Sequence, residues 1–92
     1  MYSVILSDAA QTDLDNIVQY IAVHNPTAAE KLGLELIDVA TSLETFPYRG
    51  SRVRKHPRVR KLVHSNYVIT YRIREPNRTV EVLGFTHGAQ IK

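Results

Sequence analysis

The strongest structural signal is the run SDAAQTDLDNIVQYIAVHNPTAAEKLGLELIDVATSL, which occupies residues 7–43. Apolar side chains recur in it every three or four residues, the spacing that places them along one side of a helix. The first stripe consists of Ala10, Leu14, Ile17 and Ile21, widened by Val18. The second stripe consists of Ala29, Leu32, Leu36, Ala40 and Leu43. The pattern predicts two amphipathic helices in succession.

Cap residues set the limits of both helices. Ser7 is a good N-cap, and the first helix is predicted from about residue 8 to about residue 23. Asn25-Pro26 opens the second helix, because Asn is a good N-cap and Pro is tolerated at the first helical position. This helix is predicted to end near Phe46-Pro47, because proline cannot continue a helix and restricts the residue before it. Gly33 costs about 1 kcal/mol relative to Ala inside a helix, so close packing against the first helix is expected there. The short link makes the pair an antiparallel hairpin.

Runs rich in β-forming residues flank this hairpin on both sides. Residues 1–6 alternate weakly and predict a short first strand, whose partner the sequence leaves open. Residues 59–65, 67–74 and 79–85 predict an antiparallel meander, with a turn at 75–78. Residues 49–58 predict a loop or an irregular edge segment. The expected architecture is α+β in the order β-α-α-β-β-β, with the helical hairpin packed on a small antiparallel sheet.

Length and composition narrow the class of protein. A mass of 10.5 kDa over 92 residues predicts one domain, residues 1–92. The chain has no cysteine, which excludes disulfides and zinc–cysteine sites and indicates a reducing, cytoplasmic location. No apolar run approaches the roughly 20 residues of a membrane span. We therefore expect no membrane partner. The first residues show no basic segment followed by an apolar stretch, so no signal peptide is expected. A chain of this size leaves no room for a separate cofactor domain, and we expect no cofactor.

Charge is distributed unevenly along the chain. Residues 1–44 carry seven acidic side chains and one basic one, for a net charge of −6, whereas residues 45–92 carry eleven basic and two acidic ones, for +9. Seven of these cations lie within residues 49–61. The asymmetry indicates a basic surface for a nucleic acid or an acidic protein. The alternative is a solvated face with pairing between the two halves.

Several short motifs keep their order and spacing across nearly the whole chain. They are Ser7-x-x-Ala10-x-x-Asp13-Leu14-x-x-Ile17-x-x-Tyr20-Ile21-Ala22, Asn25-Pro26-x-Ala28-Ala29, Phe46-Pro47-x-x-Gly50, Tyr67-x-Ile69-x-Tyr71-Arg72-Ile73, and Val82-Leu83 followed by His87-Gly88-Ala89. In this order the motifs resemble the RelE/ParE superfamily of bacterial type II toxins, and its ParE branch more closely than its RelE branch. The resemblance implies the toxin fold of that superfamily.

The resemblance also implies a toxin that a cognate, ParD-like antitoxin holds silent. ParE-like members act on DNA gyrase and block replication, and such systems serve plasmid stabilisation. RelE-like members cleave mRNA in the ribosomal A site. The chain departs from the ParE pattern at two positions, because Gly84 and Gln90 stand where the family often has arginine. Two cations are therefore missing from the C-terminal edge, which bears on toxicity and on the choice of target.

Metal-free RNA cleavage would require a proton acceptor, a proton donor and cations around the phosphate. His87 is the best acid–base candidate, because histidine changes charge near neutral pH and this residue follows the last predicted strand. Its alternative role is packing or capping at the strand end. Arg60 and Arg72 would be its phosphate-binding partners, with Lys61 and Arg74 as further cations.

Other polar candidates are weaker. His64 and Tyr71 could exchange protons, but core packing beneath the helices is favoured for Tyr71 and also for Tyr67. His56 and His64 lie in a basic neighbourhood that would repel a divalent ion. We therefore expect no metal site.

Three functional interpretations remain open from the sequence. The first is a non-enzymatic toxin, without catalytic residues, that inhibits DNA gyrase and is neutralised by an antitoxin. The second is a metal-independent, ribosome-dependent endoribonuclease of the RelE type. The third is a toxin fold that has lost toxicity and only joins a repressor complex with the antitoxin.

Cationic side chains are the candidate binding residues under each interpretation. They are Arg49, Arg52, Arg54, Lys55, Arg58, Arg60, Lys61, Arg72 and Arg74. An acidic antitoxin tail that folds on binding would meet them, or the phosphates of RNA or gyrase-bound DNA. The exposed side of the helical hairpin is expected to carry the acids, Asp13 among them, and to contact gyrase or a second toxin copy.

Overall fold

A helical hairpin lies on one face of a five-stranded sheet in the computed structural model, which describes residues 1–88. The elements in chain order are β1 (Ser3–Leu6), α1 (Asp8–Ala22), α2 (Pro26–Thr41), β2 (Ser51–Val53), β3 (His56–His64), β4 (Tyr67–Arg74) and β5 (Thr79–His87). Short 3₁₀ turns follow α2 at Ser42–Glu44 and β4 at Glu75–Asn77. The predicted α+β fold is confirmed, with one strand more than expected.

Both helices begin at the cap residues that the sequence indicates. The Ser7 Oγ atom accepts a hydrogen bond from the Ala10 N–H at 3.1 Å, and the Asn25 Oδ1 atom accepts one from the Ala28 N–H at 3.1 Å. α2 ends earlier than predicted, because the chain tightens into a 3₁₀ turn before it reaches Pro47.

Gly33 lets the two helices approach closely. A Cβ atom at this position would lie 3.1 Å from the Val18 Cγ2 atom on α1. The expected reason for a glycine inside the second helix is therefore confirmed. Within the described residues, neither helix is long and apolar enough to cross a lipid bilayer.

The strands are ordered β1-β5-β4-β3-β2 across the sheet. β3, β4 and β5 form the predicted antiparallel meander. β1 pairs in parallel with β5, from Ser3 opposite Thr79 to Leu6 opposite Val82, so the sheet is mixed rather than antiparallel throughout. Parallel neighbours need a long crossover connection, which the helices and the intervening strands supply. Since no short turn links β1 to β5, their pairing leaves no local signal in the sequence.

The segment after the helices contains an edge strand of the sheet. Of the two predictions for residues 49–58, a loop or an irregular edge segment, the structure has the second. Ser51 lies opposite Lys61, and the register then shifts between Arg52 and Val53. β3 begins at residue 56 rather than 59, and its first residues pair only with β2. A strand segment that is paired on one side only tolerates proline, here Pro57, and several charged side chains. Such a segment lacks a hydrophobic pattern, so the sequence does not reveal it as a strand.

The hydrophobic core lies between the helices and the sheet. Its buried members are Ala10, Leu14, Leu36, Ala40, Leu43, Ile69, Tyr71, Val80, Val82 and Phe85. Tyr71 is fully buried and Tyr67 packs against the cluster, which confirms the core role predicted for both. We call the sheet face that carries these residues the inner face, and the face turned away from the helices the outer face.

The buried Tyr71 hydroxyl fixes the loop that leads into the edge strand. It donates a hydrogen bond to the Pro47 carbonyl oxygen at 2.8 Å and accepts one from the Gly50 N–H at 2.9 Å. A Cβ atom at Gly50 would lie 2.6 Å from this hydroxyl oxygen and 2.6 Å from the Lys61 carbonyl oxygen, so only glycine permits the approach. Burial raises the pKa of the Tyr71 hydroxyl, which therefore remains a proton donor at neutral pH.

Helix α1 covers the part of β5 that β1 leaves unpaired. Beyond the end of β1, the Asp13 Oδ2 atom accepts a hydrogen bond from the Phe85 N–H at 3.1 Å. The Ser7 hydroxyl donates to the Leu83 carbonyl oxygen at 3.3 Å. The prediction that Asp13 lies on the exposed side of the hairpin is wrong, because its half-buried side chain satisfies this open strand edge.

Tyr71→Phe should lower the free energy of unfolding by about 2 kcal/mol or more, because the Pro47 carbonyl and the Gly50 N–H would be left buried without partners. Urea unfolding followed by circular dichroism measures the loss. Tyr67→Phe is the matched control, since the Tyr67 hydroxyl forms no hydrogen bond within the described residues. The control should lose less than about 0.5 kcal/mol. Equal losses in the two variants would contradict the anchoring role of Tyr71.

Candidate functional site: a basic hairpin and a paired arginine cluster

The β2–β3 hairpin, residues 51–64, carries most of the cations predicted to bind a partner, and we call it the basic hairpin. Two of them, Arg54 and Lys55, form the turn between Val53 and His56. Five of its cations are exposed and have neither an ion pair nor a side-chain hydrogen bond with any residue in the described range: Arg52, Arg54, Lys55, Arg58 and Lys61. Their charge is therefore available to a partner.

These five side chains surround the hairpin rather than line one face. Arg52 lies opposite Arg60 on the inner face, whereas Lys61 lies on the outer face. The two turn residues extend the positive charge to the tip. The shape suits a flexible anionic segment that can pass around the hairpin better than it suits a flat surface.

The other two cations of residues 49–61 support the loop before the edge strand. Arg60 Nη1 donates to the Gly50 carbonyl oxygen at 2.7 Å, and its guanidinium carbon lies 5.0 Å from the centre of the Tyr48 ring. Arg49 Nη1 donates to the Ser42 Oγ atom at 2.7 Å. Both arginines have structural partners, so they are less available to a ligand than the five unpaired cations.

An aromatic groove borders the basic hairpin. It has a volume of about 410 Å³ and is lined by residues 45–49. Phe46 is 66% exposed and Tyr48 is 51% exposed, while Pro47 is buried. The Tyr48 hydroxyl donates to the Glu75 carboxylate, which holds the ring in place. Exposed aromatic rings beside free cations suit a partner segment that combines apolar and acidic residues.

Arg72 and Arg74 lie on the outer face, where one carboxylate binds both. Arg72 Nε donates to the Glu81 Oε1 atom at 2.6 Å, and Arg74 Nη2 donates to the same oxygen at 3.2 Å. The hydrogen bond from Arg72, reinforced by Arg74, lowers the pKa of the Glu81 carboxyl although partial burial opposes this. Two of the predicted binding arginines are thus already paired within the chain.

The three residues of the candidate nuclease set do not meet on one surface. Arg60 lies opposite Tyr71 on the inner face, whereas Arg72 points to the outer face. His87 lies opposite Tyr67, four strand positions from the row of Arg60, which corresponds to about 13 Å along the strands. An acid–base residue and its phosphate-binding cations must contact one substrate, and this arrangement does not bring them together.

His87 is the last residue of β5, whereas the sequence predicts that it follows the strand. Its ring packs edge-on against Tyr67, with the ring centres 5.3 Å apart. Both residues line a cavity of about 530 Å³ between α1 and the end of β5, together with Asp13, Tyr20 and Phe85. The ring contact matches the packing role that was the alternative to acid–base chemistry.

The weaker acid–base candidates also have structural contacts. His64 Nε2 lies 3.6 Å from the Glu35 Oε2 atom and so links β3 to α2. The Tyr71 hydroxyl is occupied by the loop. Among residues 1–88, no group of three or more histidine or acidic side chains is placed to hold a metal ion.

Gly84 and Gln90 are the positions where the chain departs from the ParE pattern. A Cβ atom at Gly84 would lie 2.8 Å from the Asp13 Oδ2 atom, so a side chain here would displace that carboxylate. The same carboxylate accepts a hydrogen bond from the Phe85 N–H, so glycine at position 84 preserves the contact between α1 and β5. Gln90 lies outside the described residues.

Glu81 and Glu75 are important residues that the sequence reasoning missed. Glu81 is the one acidic residue inside the strands β2, β3, β4 and β5, whereas Glu75 lies in the turn between β4 and β5. A single acid among so many basic residues could have suggested an ion pair. Its partner could not be assigned, because the β4–β5 register shifts between Thr70 and Tyr71 and no sequence pattern reports such a bulge. Glu75 accepts hydrogen bonds from two tyrosines distant in sequence, which only the folded chain brings together.

The fold is similar to that of several solved toxin–antitoxin proteins. The chain is similar to one from the chromosomal ParDE toxin–antitoxin system of P. aeruginosa, with a TM-score of 0.79 and 21% identity over 95% of this chain and 96% of that one. For the RelBE2 toxin–antitoxin complex of Mycobacterium tuberculosis the TM-score is 0.75, with 22% identity over 94% and 96% of the two chains. For the isolated E. coli RelE toxin the TM-score is 0.62, with 18% identity over 95% of this chain and 84% of that one. The architecture is therefore that of the RelE/ParE toxins.

The sequence assigns the branch within this class. The family model for the ParE toxin of the type II toxin-antitoxin system parDE matches residues 4–92. The chain therefore belongs to the ParE toxin family, and the resemblance drawn from its motifs is confirmed. No curated protein sequence gives a significant match.

Glu81→Gln should lower the free energy of unfolding by up to about 1 kcal/mol at neutral pH, because both ion pairs are lost. The pKa of Glu81 is lower in the folded protein, so its contribution is present at neutral pH and is lost as the pH falls through that lowered pKa. Urea unfolding of the two proteins from neutral to acidic pH should show the difference shrinking.

Glu30→Gln is the control for this titration, because the Glu30 side chain is exposed and unpaired within the described residues. It should differ little from the unmodified protein at any pH. A difference for Glu81→Gln that stays constant through acidic pH would contradict the pairing.

Proposed function

We propose that this ParE-family toxin inhibits DNA gyrase, and so replication, as a binder without catalytic residues, and that a cognate antitoxin neutralises it. The target is the one that the resemblance to the ParE branch implies. The observation that carries the proposal is the separation of Arg60, Arg72 and His87 over two faces of the sheet. A ribonuclease needs such groups around one phosphate, whereas a gyrase binder needs only a complementary surface.

The basic hairpin and its aromatic groove support a role in antitoxin binding. The five unpaired cations surround the hairpin, and a disordered acidic segment can follow them around both faces as it orders. Phe46 and Tyr48 offer anchoring contacts for apolar residues of the same segment. The neighbours from P. aeruginosa and M. tuberculosis are themselves toxin–antitoxin proteins, which supports such a partner here.

Purified gyrase provides the test of the target. The chain should inhibit supercoiling of relaxed plasmid and increase the amount of cleaved plasmid, and prior addition of the antitoxin encoded beside it should restore supercoiling. Unimpaired supercoiling together with cleavage of ribosome-bound mRNA would contradict the proposal. No effect on either process, with antitoxin binding retained, would identify the non-toxic interaction module.

His87→Ala should inhibit gyrase as strongly as the unmodified protein, because the proposed activity transfers no proton. The supercoiling assay measures this, with the exposed His56→Ala as the matched control. A ribonuclease that used His87 as its acid or base would instead lose about 10²-fold or more in rate. Loss of gyrase inhibition in a His87→Ala protein of normal stability would contradict the role given to His87.

Arg54→Glu combined with Lys55→Glu should weaken antitoxin binding by about tenfold at low salt, because the tip of the basic hairpin would repel an acidic segment. Isothermal titration calorimetry at low and high salt measures the effect, which should diminish at high salt. Lys31→Glu on α2 is the control and should leave the affinity nearly unchanged. Unchanged affinity in the double variant would place the antitoxin elsewhere.

A further inference from the structure

The outer-face cluster of Arg72, Arg74 and Glu81 has the form of an occupied anion site. Both guanidinium groups donate to a single oxygen, Glu81 Oε1, at 2.6 and 3.2 Å. A phosphate oxygen can accept the same pair of donors, since arginine binds carboxylate and phosphate through the same N–H groups. The arginine side chains are 42% and 47% exposed, so a ligand on the outer face can reach them.

We infer that this cluster is a phosphate-binding surface for a nucleic acid strand, which the chain's own Glu81 keeps occupied. Lys61 extends the surface. It lies on the same face opposite Thr70, two residues along the strands from Arg72, and is exposed and unpaired within the described residues. Glu81 is the one acid that β2–β5 contribute. Removing its charge would leave three cations on adjacent strands with no carboxylate between them.

The carboxylate discriminates against nucleic acid. A phosphodiester would have to replace two charge-assisted hydrogen bonds and bring its own negative charge beside an ionised carboxylate. Glu81 is therefore a specificity-determining residue that directs anionic partners to the unpaired cations of the basic hairpin. This inference goes beyond the proposed gyrase inhibition, and its test requires only the purified chain and a nucleic acid.

Fluorescence anisotropy with a labelled single-stranded RNA tests the inference. Glu81→Gln should bind the RNA about tenfold more tightly than the unmodified protein at low salt. Its affinity should also fall more steeply with salt, because each arginine that gains a phosphate contact adds about 0.7 to the slope of log affinity against log salt.

Glu75→Gln is the matched control for charge. It changes the net charge by the same amount, but the Glu75 carboxylate accepts hydrogen bonds from Tyr2 and Tyr48 rather than from an arginine. It should therefore show a smaller gain in affinity and no steeper salt slope. Equal affinities and equal slopes for the two glutamine variants would overturn the inference.

Removing the arginines provides a second arm. Arg72→Gln combined with Arg74→Gln should leave the salt slope of RNA binding unchanged when Glu81 is present, because the arginines make no phosphate contact in that protein. The same pair should abolish the steeper slope when combined with Glu81→Gln. A shallower slope for the arginine pair with Glu81 intact would overturn the inference, since it would show that the arginines already contact phosphate.

Labelled polyglutamate distinguishes a phosphate site from general attraction to anions. Glu81→Gln should gain much less affinity for polyglutamate than for RNA. An equal gain for the two probes would overturn the assignment to phosphate.

Discussion

The Tyr71 hydroxyl joins the centre of the sheet to the loop from which the edge strand starts. It bridges the Pro47 carbonyl and the Gly50 N–H, while Arg60 holds the Gly50 carbonyl and lies over the Tyr48 ring. The start of β2, the aromatic groove and the direction of the basic hairpin all follow from this connection. A hydrogen-bonded tyrosine inside the core therefore positions a surface whose own residues contribute almost nothing to the core.

The candidate binding cations fall into three groups according to their partners. Arg49 and Arg60 stabilise the loop, Arg72 and Arg74 are held by Glu81, and the remaining cations of the basic hairpin have no partner among residues 1–88. Only the last group offers its charge freely to another molecule. This division explains how a strongly basic half can serve a protein partner without presenting a continuous track for nucleic acid.

Features encoded locally in the sequence could be predicted, and features that depend on distant pairing could not. Apolar spacing and the caps Ser7 and Asn25 define the helical hairpin, because each signal acts within one or two turns. The parallel β1–β5 pair joins segments more than 70 residues apart and involves no turn. The role of Asp13 depends on β1 being shorter than β5, which leaves one strand edge for α1 to cover.

The candidate site follows the same division. The unpaired cations of the basic hairpin were identified from residue type alone, since charge does not depend on register. The pairing of Arg72 with Glu81, and the placement of Arg60 on the opposite face, depend on strand register and on a bulge that no composition rule reports. The sequence therefore indicated which residues carry charge, but not which of them remain available.

Under the proposed function, this toxin acts by binding gyrase rather than by cleaving RNA. The most direct measurement is the response of cells in the first minutes after induction of the chain, with DNA damage signalling and mRNA integrity followed in the same culture. A gyrase inhibitor should induce the SOS response while transcripts remain intact. Rapid cleavage of translated mRNA without DNA damage would contradict it.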